Sequence, residues 1–415
     1  MNWLRQRLFH IPSLVDSPRR PGFWLFSGHL LSVWAIAQSN AWFGLTVLWS
    51  VRFRDRLRWC WQRASPLLLP LGLYTVFFMV SVITSLEPAI SFEALKSLIG
   101  LGTLPLAILL VRGTVEVRRI IDLILIMMVL MACYGIGQYF FTDYGPLDNR
   151  IPGPFSHYMT FSGALLLGWF LVMGRLLTRG GSKQPLHWLA LIVISATLLL
   201  TLTRGAWVAA GITFIIALLW RGRRHLPSYL AALAVATLLF LSFAPTPWKT
   251  RIASIADPRN ESNYDRLSML QAGLFMISES PLFGIGPGVV KHRYPIYRHP
   301  TAPQFKAAHL HNSFLQTAAE RGLLSLGAYL WLMIAGLQLA YRGYRSEGGP
   351  HGDRADLYLG VMLAIFGFNL AGLFEANWRD TEIQRLMLFL LAIPLCLQAP
   401  ATDPDSAPPS QAGTA

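Results

Sequence analysis

The chain contains long apolar runs from which acidic and basic residues are missing. Segments 66–85 and 160–173, for example, carry no Asp, Glu, Lys or Arg, and a helix needs about 20 such residues to cross a bilayer. Only 13% of the residues are charged and 53% are hydrophobic, a balance that soluble domains do not have. A helix pairs its own backbone polar groups in lipid, whereas an open strand does not. The sequence therefore predicts an all-α polytopic integral membrane protein.

Hydropathy divides the chain into about twelve predicted transmembrane helices. They lie near residues 23–38, 40–51, 66–85, 95–111, 120–140, 157–174, 187–203, 206–220, 227–244, 314–340, 357–374 and 383–398. The predicted organisation is an N-terminal segment (1–22), a bundle of nine spans (23–244), a large partly helical loop (245–313), three further spans (314–398) and a disordered tail (399–415).

Arginine and lysine alternate between the predicted connections. They cluster before the first span and in every second connection after it, while the intervening short connections hold few, among them Arg150 and Arg204. Short cytoplasmic loops are enriched in these residues, so we expect both termini in the cytoplasm and loop 245–313 on the outer face. This distribution places the net charge of +14 beside membrane lipid and gives no support to nucleic acid as a partner.

Three polar motifs share the predicted outer face. They contain Arg204, then Asp265 with Arg266 at the start of a helix predicted over 263–278, then the segment 309–314. A guanidinium presents a planar fork of donors that suits phosphate oxygens. Two alternatives stay open, a snorkelling side chain for Arg204 and a solvated charge or a partner of Asp265 for Arg266.

Two histidines, His309 and His311, precede the tenth predicted span. Histidine can accept a proton near neutral pH, although a single histidine at a helix entrance is more often structural. On a helix the two rings would point to different sides, so a shared metal ion is not predicted. We expect Asn312 or Ser313 to cap the following helix.

The glycine-rich segment 281–288 lacks the preceding strand and the following Lys-Ser/Thr of a nucleotide-binding loop. We interpret it as a sharp turn whose glycines allow close backbone approach, including approach to a substrate. The three cysteines, Cys60, Cys133 and Cys396, indicate neither a disulfide framework nor a zinc ligand set.

The order of these motifs resembles that of the bacterial O-antigen ligase and polymerase superfamily, with ligases the closer match. The resemblance rests on residues 203–207, Arg266 with Gly273, segment 281–288, segment 309–312 and Glu320-Arg-Gly322, and it begins near Arg150 and residues 153–157. It implies a membrane bundle of the lipid-sugar glycosyltransferase (GT-C-like) type. The implied reaction is a metal-independent, inverting glycosyl transfer without a cofactor, on the periplasmic side of the inner membrane.

The resemblance also implies substrates and site residues. The donor would be O-antigen polysaccharide on undecaprenyl diphosphate, and the acceptor of a ligase would be a hydroxyl of lipid A-core oligosaccharide. The family's general base would correspond to His311 and its diphosphate-binding arginines to Arg204 and Arg266, with His309, Asn312 and Arg150 as supporting residues.

Three other functions remain possible on the sequence alone. An O-antigen polymerase uses the same donor but a second lipid-linked glycan as acceptor, and a related protein-glycosylating transferase usually has a longer chain. A lipid or polysaccharide transporter belongs to a different class, and the nearly uncharged span interiors of this chain disfavour it.

Overall fold

A computed structural model of the chain describes residues 21–145, 149–178, 184–221, 246–255, 257 and 260–398. Every regular element within these ranges is helical. The α-helices are α1 (Pro21–Leu31), α2 (Ile36–Ser50), α3 (Leu57–Ile83), α4 (Pro88–Glu93), α5 (Thr103–Leu110), α6 (Gly113–Phe141), α7 (Tyr158–Leu176), α8 (Pro185–Leu200), α9 (Arg204–Arg221), α10 (Thr246–Ala253), α11 (Glu261–Glu279), α12 (Val290–Tyr297), α13 (Ser313–Ser346), α14 (Ala355–Ala371) and α15 (Thr381–Gln398). Short 3-10 segments cover Val51–Arg56, Ala94–Gly102, Gly349–His351 and Asn377–Arg379.

Six helical segments are long and apolar enough to cross a membrane: Trp61–Ile83, Pro88–Leu110, Gly113–Phe141, Tyr158–Leu176, Ser313–Ser346 and Thr381–Gln398. Three shorter apolar helices accompany them: Pro185–Leu200, Arg204–Trp220 and Ala355–Ala371. The prediction of a helical membrane protein is therefore confirmed. The count of twelve spans stays a prediction, because span 227–244 lies outside the described residues and α1 and α2 are only 11 and 15 residues long.

Glycines allow helices α7 and α14 to approach closely. A Cβ built on Gly174 would lie 2.5 Å from the Cα of Gly360, and one on Gly367 would lie 1.9 Å from the ring of Phe170. Small residues at a helix crossing are common where lipid supplies no hydrophobic driving force. The crossing fixes α14, and with it the connection from α14 to α15 on the side where the site lies.

Helix α13 kinks at Gly322, whose φ of 78° is left-handed. Two backbone N–H groups of the glycine-rich segment donate to carbonyls on the N-terminal side of the kink: Ile285 to Ala319 at 2.9 Å and Gly286 to Glu320 at 3.0 Å. Those bonds satisfy carbonyl groups that a kink leaves without helical partners. The expected close backbone approach of this segment is therefore present, and its partner is helix α13.

Candidate functional site

The site is built around the N-terminus of helix α13. Asn312 is the N-cap, as predicted, and its side-chain oxygen accepts hydrogen bonds from the backbone N–H groups of Phe314 and Leu315, both at 2.9 Å. The preceding residue, His311, has a left-handed φ of 48°. Among the described residues the other non-glycine position with positive φ is Leu202, two residues before Arg204. Backbone conformations of this kind cost energy and are concentrated at functional sites.

One carboxylate joins two of the predicted site residues. Glu375 accepts a bond from Nη2 of Arg266 at 2.9 Å on Oε1 and contacts Nδ1 of His311 at 3.2 Å through Oε2. Only 4% of the Glu375 side chain is exposed. We assign the proton of the neutral His311 ring to Nδ1, which donates to the carboxylate and leaves Nε2 with a free lone pair.

Glu375 is held in place by the helix that carries the histidine. Ser313 donates from its backbone N–H to the Gly372 carbonyl at 2.7 Å and from its hydroxyl to the Glu375 carbonyl at 2.9 Å. Asn312 donates from Nδ2 to the Leu373 carbonyl at 3.2 Å. The connection between α14 and α15 is thereby fastened to the start of α13.

Glu375 was not among the residues predicted from the sequence. A partial signal for it exists, because the short connection before the last predicted span contains three acidic residues, Glu375, Asp380 and Glu382. Its role nevertheless depends on α13 and α14 folding back on each other, and sequence spacing does not show that contact.

Arg204 is the first residue of α9 and is only 4% exposed. Its Nη1 donates to the carbonyl and hydroxyl oxygens of Ser254 at 2.6 and 2.9 Å, and its Nη2 donates to Ser262 Oγ at 3.2 Å and Asn263 Oδ1 at 2.8 Å. A snorkelling side chain would instead extend to water. These four acceptors are all neutral, so they orient the guanidinium without cancelling its charge.

His309 lies directly beside His311. The two ring centroids are 4.1 Å apart, and His309 Nδ1 accepts the backbone N–H of His311 at 3.3 Å. Helical spacing does not apply to these two rings, because both residues precede α13. Burial, together with the nearby charges of His311 and Arg379, lowers the pKa of His309 to about 2. His309 is thus a neutral ring that supports the backbone of His311.

Arg150 belongs to the same site. Its guanidinium stacks 4.5 Å from the ring centroid of Tyr158, at the start of α7. His157 caps that helix by accepting the Met159 N–H on Nδ1 at 3.2 Å. Burial lowers the pKa of His157. All the predicted arginines therefore converge on one region.

Two cavities meet at this site. The first has a volume of roughly 350 Å³ and a mainly polar wall that includes Arg150, Thr203, Arg204, Glu261, Ser262, Asp265, Arg266, Gln304, His311 and Glu375. The second has a volume of roughly 480 Å³ and a mainly apolar wall that includes Arg204, Val208, Ile255, Arg266, Leu267, Leu270, Leu310, His311, Leu315, Leu373 and Phe374. Arg204, Arg266 and His311 line both cavities, so they form the wall between a polar and an apolar compartment.

Metal ligands are not grouped in the part of the chain that the structure describes. No set of three or more His, Cys, Asp or Glu side chains there is arranged to hold a metal ion. The positive charges of the site come from its arginines.

This combination defines a class of protein: a helical membrane protein with a cationic site placed between an apolar and a polar cavity. Residues 189–330 match the family model described as O-antigen ligase. That match agrees with the resemblance to the O-antigen ligase and polymerase superfamily that the sequence predicted, and it covers 142 of the 415 residues. The chain has no significant match among curated proteins. The matched segment contains Arg204, Arg266 and the residues 309–312, whereas Arg150 and Glu375 lie outside it.

Proposed function

We propose that this protein is an O-antigen ligase, which transfers a polysaccharide from undecaprenyl diphosphate to a hydroxyl of lipid A-core oligosaccharide. The observation that carries the proposal is the position of Arg204, Arg266 and His311 between the two cavities, within a segment that matches the ligase family. The proposed location is the bacterial inner membrane, with the site on its periplasmic face.

His311 is the proposed general base. The acceptor hydroxyl would attack the anomeric carbon of the donor while Nε2 of His311 takes its proton, a contribution of typically 10²- to 10⁴-fold in rate. The His311 imidazolium formed in this step would be stabilised by Glu375, which contacts Nδ1 at 3.2 Å. A carboxylate behind a catalytic histidine holds the ring orientation and its protonation pattern in the same way elsewhere.

The arginines are the proposed diphosphate ligands. As the bond from the anomeric carbon to the phosphate oxygen breaks, the diphosphate leaves with the bonding electrons and gains negative charge. Preorganised guanidinium groups stabilise charge that develops in this way. Arg204 and Arg266 would therefore supply the positive charge of the site, which supports a metal-independent reaction.

The apolar cavity suits the lipid of such a donor. Leu267 and Leu270 project from α11 and are 61% and 40% exposed, and both line this cavity next to the two arginines. A polyprenyl chain on that side would keep its diphosphate at the arginines and its apolar length on leucine side chains.

Reconstitution with defined components tests the proposal. Purified protein in detergent is mixed with lipid-linked O-antigen and lipid A-core, with and without a chelator, and the joined product is followed on a gel. The proposal predicts a product in both conditions and its loss in His311→Ala. If the donor alone is converted to a longer lipid-linked glycan, the protein is a polymerase, and absence of any product rejects a transferase.

A further inference from the structure

The polar cavity contains a carboxyl group that the proposed transfer mechanism does not use. Asp265 lines this cavity, yet its side chain is only 6% exposed. The nearby backbone N–H of Gln304 opposes the effect of burial on the pKa of this carboxyl group. Oδ1 has no hydrogen-bond partner among the residues that the structure describes. A buried acceptor without a donor costs about 1–3 kcal/mol, so native proteins rarely leave one unsatisfied unless something else binds it.

The immediate surroundings of Asp265 suit a neutral polyhydroxyl ligand. Glu261 on the preceding turn of α11 and Gln304 from the following loop line the same wall. Burial raises the pKa of Asp265, and the Glu261 charge acts in the same direction. The charges of Arg266 and His311 act in the opposite direction, and hydroxyl groups can donate hydrogen bonds to both acidic side chains.

The covalent order of the proposed donor decides which sugar reaches this wall. Lipid, diphosphate and first sugar follow one another along the molecule. The structure presents three surfaces in matching order, namely the apolar cavity, the arginines and the polar cavity. With the lipid on the leucines and the diphosphate at Arg204 and Arg266, the first sugar enters the polar cavity.

We propose that Asp265 is a donor-specificity residue whose Oδ1 accepts a hydrogen bond from a hydroxyl or amide N–H of the first sugar of the lipid-linked glycan. This inference rests on the proposed function, since it needs a lipid-diphosphate donor at the arginines. It assigns the recognition of the first sugar to one surface of the polar cavity, formed by Asp265 with Glu261 and Gln304 beside it.

Binding measurements separate the two proposals. The ligands are bare polyprenyl diphosphate and synthetic polyprenyl diphosphates that each carry one hexose or N-acetylhexosamine, together with versions lacking a single hydroxyl. Asp265→Asn keeps the volume, removes the charge and replaces one carboxyl oxygen by an NH₂ group, which cannot accept a hydrogen bond. This variant is expected to bind the preferred glycosylated lipid roughly 10-fold more weakly. It should bind the bare lipid diphosphate at least as tightly as the unmodified protein does, because the substitution removes a negative charge beside Arg266. Glu279→Gln, at the exposed far end of the same helix, is the control and is expected to bind both ligands normally.

A thermodynamic cycle then identifies the contact. A ligand that lacks the hydroxyl bound by Asp265 should bind more weakly to the unmodified protein. The same change in the ligand should have little further effect on binding to Asp265→Asn. The inference is overturned if the sugar adds nothing to binding, if Asp265→Asn weakens both lipids equally, or if it alters only saturation by the acceptor. Failure of the unmodified protein to bind bare polyprenyl diphosphate would instead reject the proposed function.

Discussion

Glu375 contacts Nδ1 of His311 at 3.2 Å while its other oxygen accepts from Nη2 of Arg266 at 2.9 Å. A single buried carboxylate thus fixes the ring of the proposed base and the position of a proposed phosphate ligand. Loss of its charge would affect both residues together.

Glu375→Gln tests this coupling. The amide keeps the size of the side chain but removes the charge that would stabilise an imidazolium, so we expect the transfer rate to fall by on the order of 10²-fold or more. Initial rates at saturating donor measure it. The matched control is Glu87→Gln, which removes a carboxylate paired with Arg293 at 2.7 Å away from both cavities. A Glu375→Gln protein as active as the control would exclude a role for the carboxylate in proton transfer.

Arg204→Lys keeps the charge but removes the planar fork. Lysine cannot reach Ser254 and Asn263 together as the guanidinium does. The segment 254–263 should therefore lose its anchor at α9, and the proposed lipid-diphosphate donor should lose a bidentate contact. We expect transfer efficiency to drop roughly 10- to 100-fold, the loss of one or two hydrogen bonds to a charged group. Arg293→Lys, which lies outside both cavities, is the control. Equal kcat/KM values for the two variants would contradict the assignment.

The low pKa of His309 predicts a pH dependence of stability. The unfolded chain binds a proton at the ordinary histidine value near 6.5, but the folded chain does so only at about 2. Between these two values only the unfolded chain binds the proton. The free energy of unfolding is therefore unaffected by this group above pH 6.5 and decreases as the pH falls below 6.5. In detergent, the melting temperature should decrease less steeply for His309→Asn than for the unmodified protein as the pH is lowered from 8 to 5. His299→Asn, at an exposed position in the same loop, should retain the original slope, and identical slopes for all three proteins would refute the prediction.

Gly322 and Gly327 in helix α13 should respond oppositely to alanine. A Cβ on Gly322 would lie 2.0 Å from the Leu282 carbonyl oxygen, and the φ of 78° disfavours any side chain. With ψ at 170° this conformation is essentially restricted to glycine, so Gly322→Ala should cost about 1–3 kcal/mol in backbone strain in addition to the clash. Nothing lies within 4 Å of a Cβ on Gly327, so Gly327→Ala should be neutral or stabilise by up to about 1 kcal/mol. Thermal unfolding of both variants checks the pair, and a stable Gly322→Ala protein would show that the kink is dispensable.

The sequence predicted the features that depend on local pattern. The helix predicted over 263–278 is α11, and of the two predicted caps, Asn312 and Ser313, it is Asn312 that caps α13. Both follow from short-range rules, namely periodic apolar residues and a side chain that accepts the first N–H groups of a helix. Topology also brought Arg204, Arg266 and His311 to one face, and the structure places them around shared cavities.

Long-range contacts were beyond reach of the sequence. Glu375 joins the site only because α13 and α14 fold back on each other and Ser313 holds the connection after α14. The partner of the glycine-rich segment proved to be helix α13, since periodicity does not reveal which backbone lies opposite a turn. The contact between the rings of His309 and His311 was not predicted either, because helical spacing does not apply to a segment that precedes the helix.

The distance along the chain between His311 and Glu375 has a consequence for biosynthesis. Glu375 follows His311 by 64 residues, and helices α13 and α14 lie between them. While the chain is being made, the histidine and Arg266 reach the membrane without their shared carboxylate, and they acquire it only after α14 has been inserted. A truncated chain ending after α13 would contain the whole segment that matches the family and still lack the carboxylate that contacts His311 and Arg266. The site is therefore complete only after the C-terminal helices have been inserted and packed.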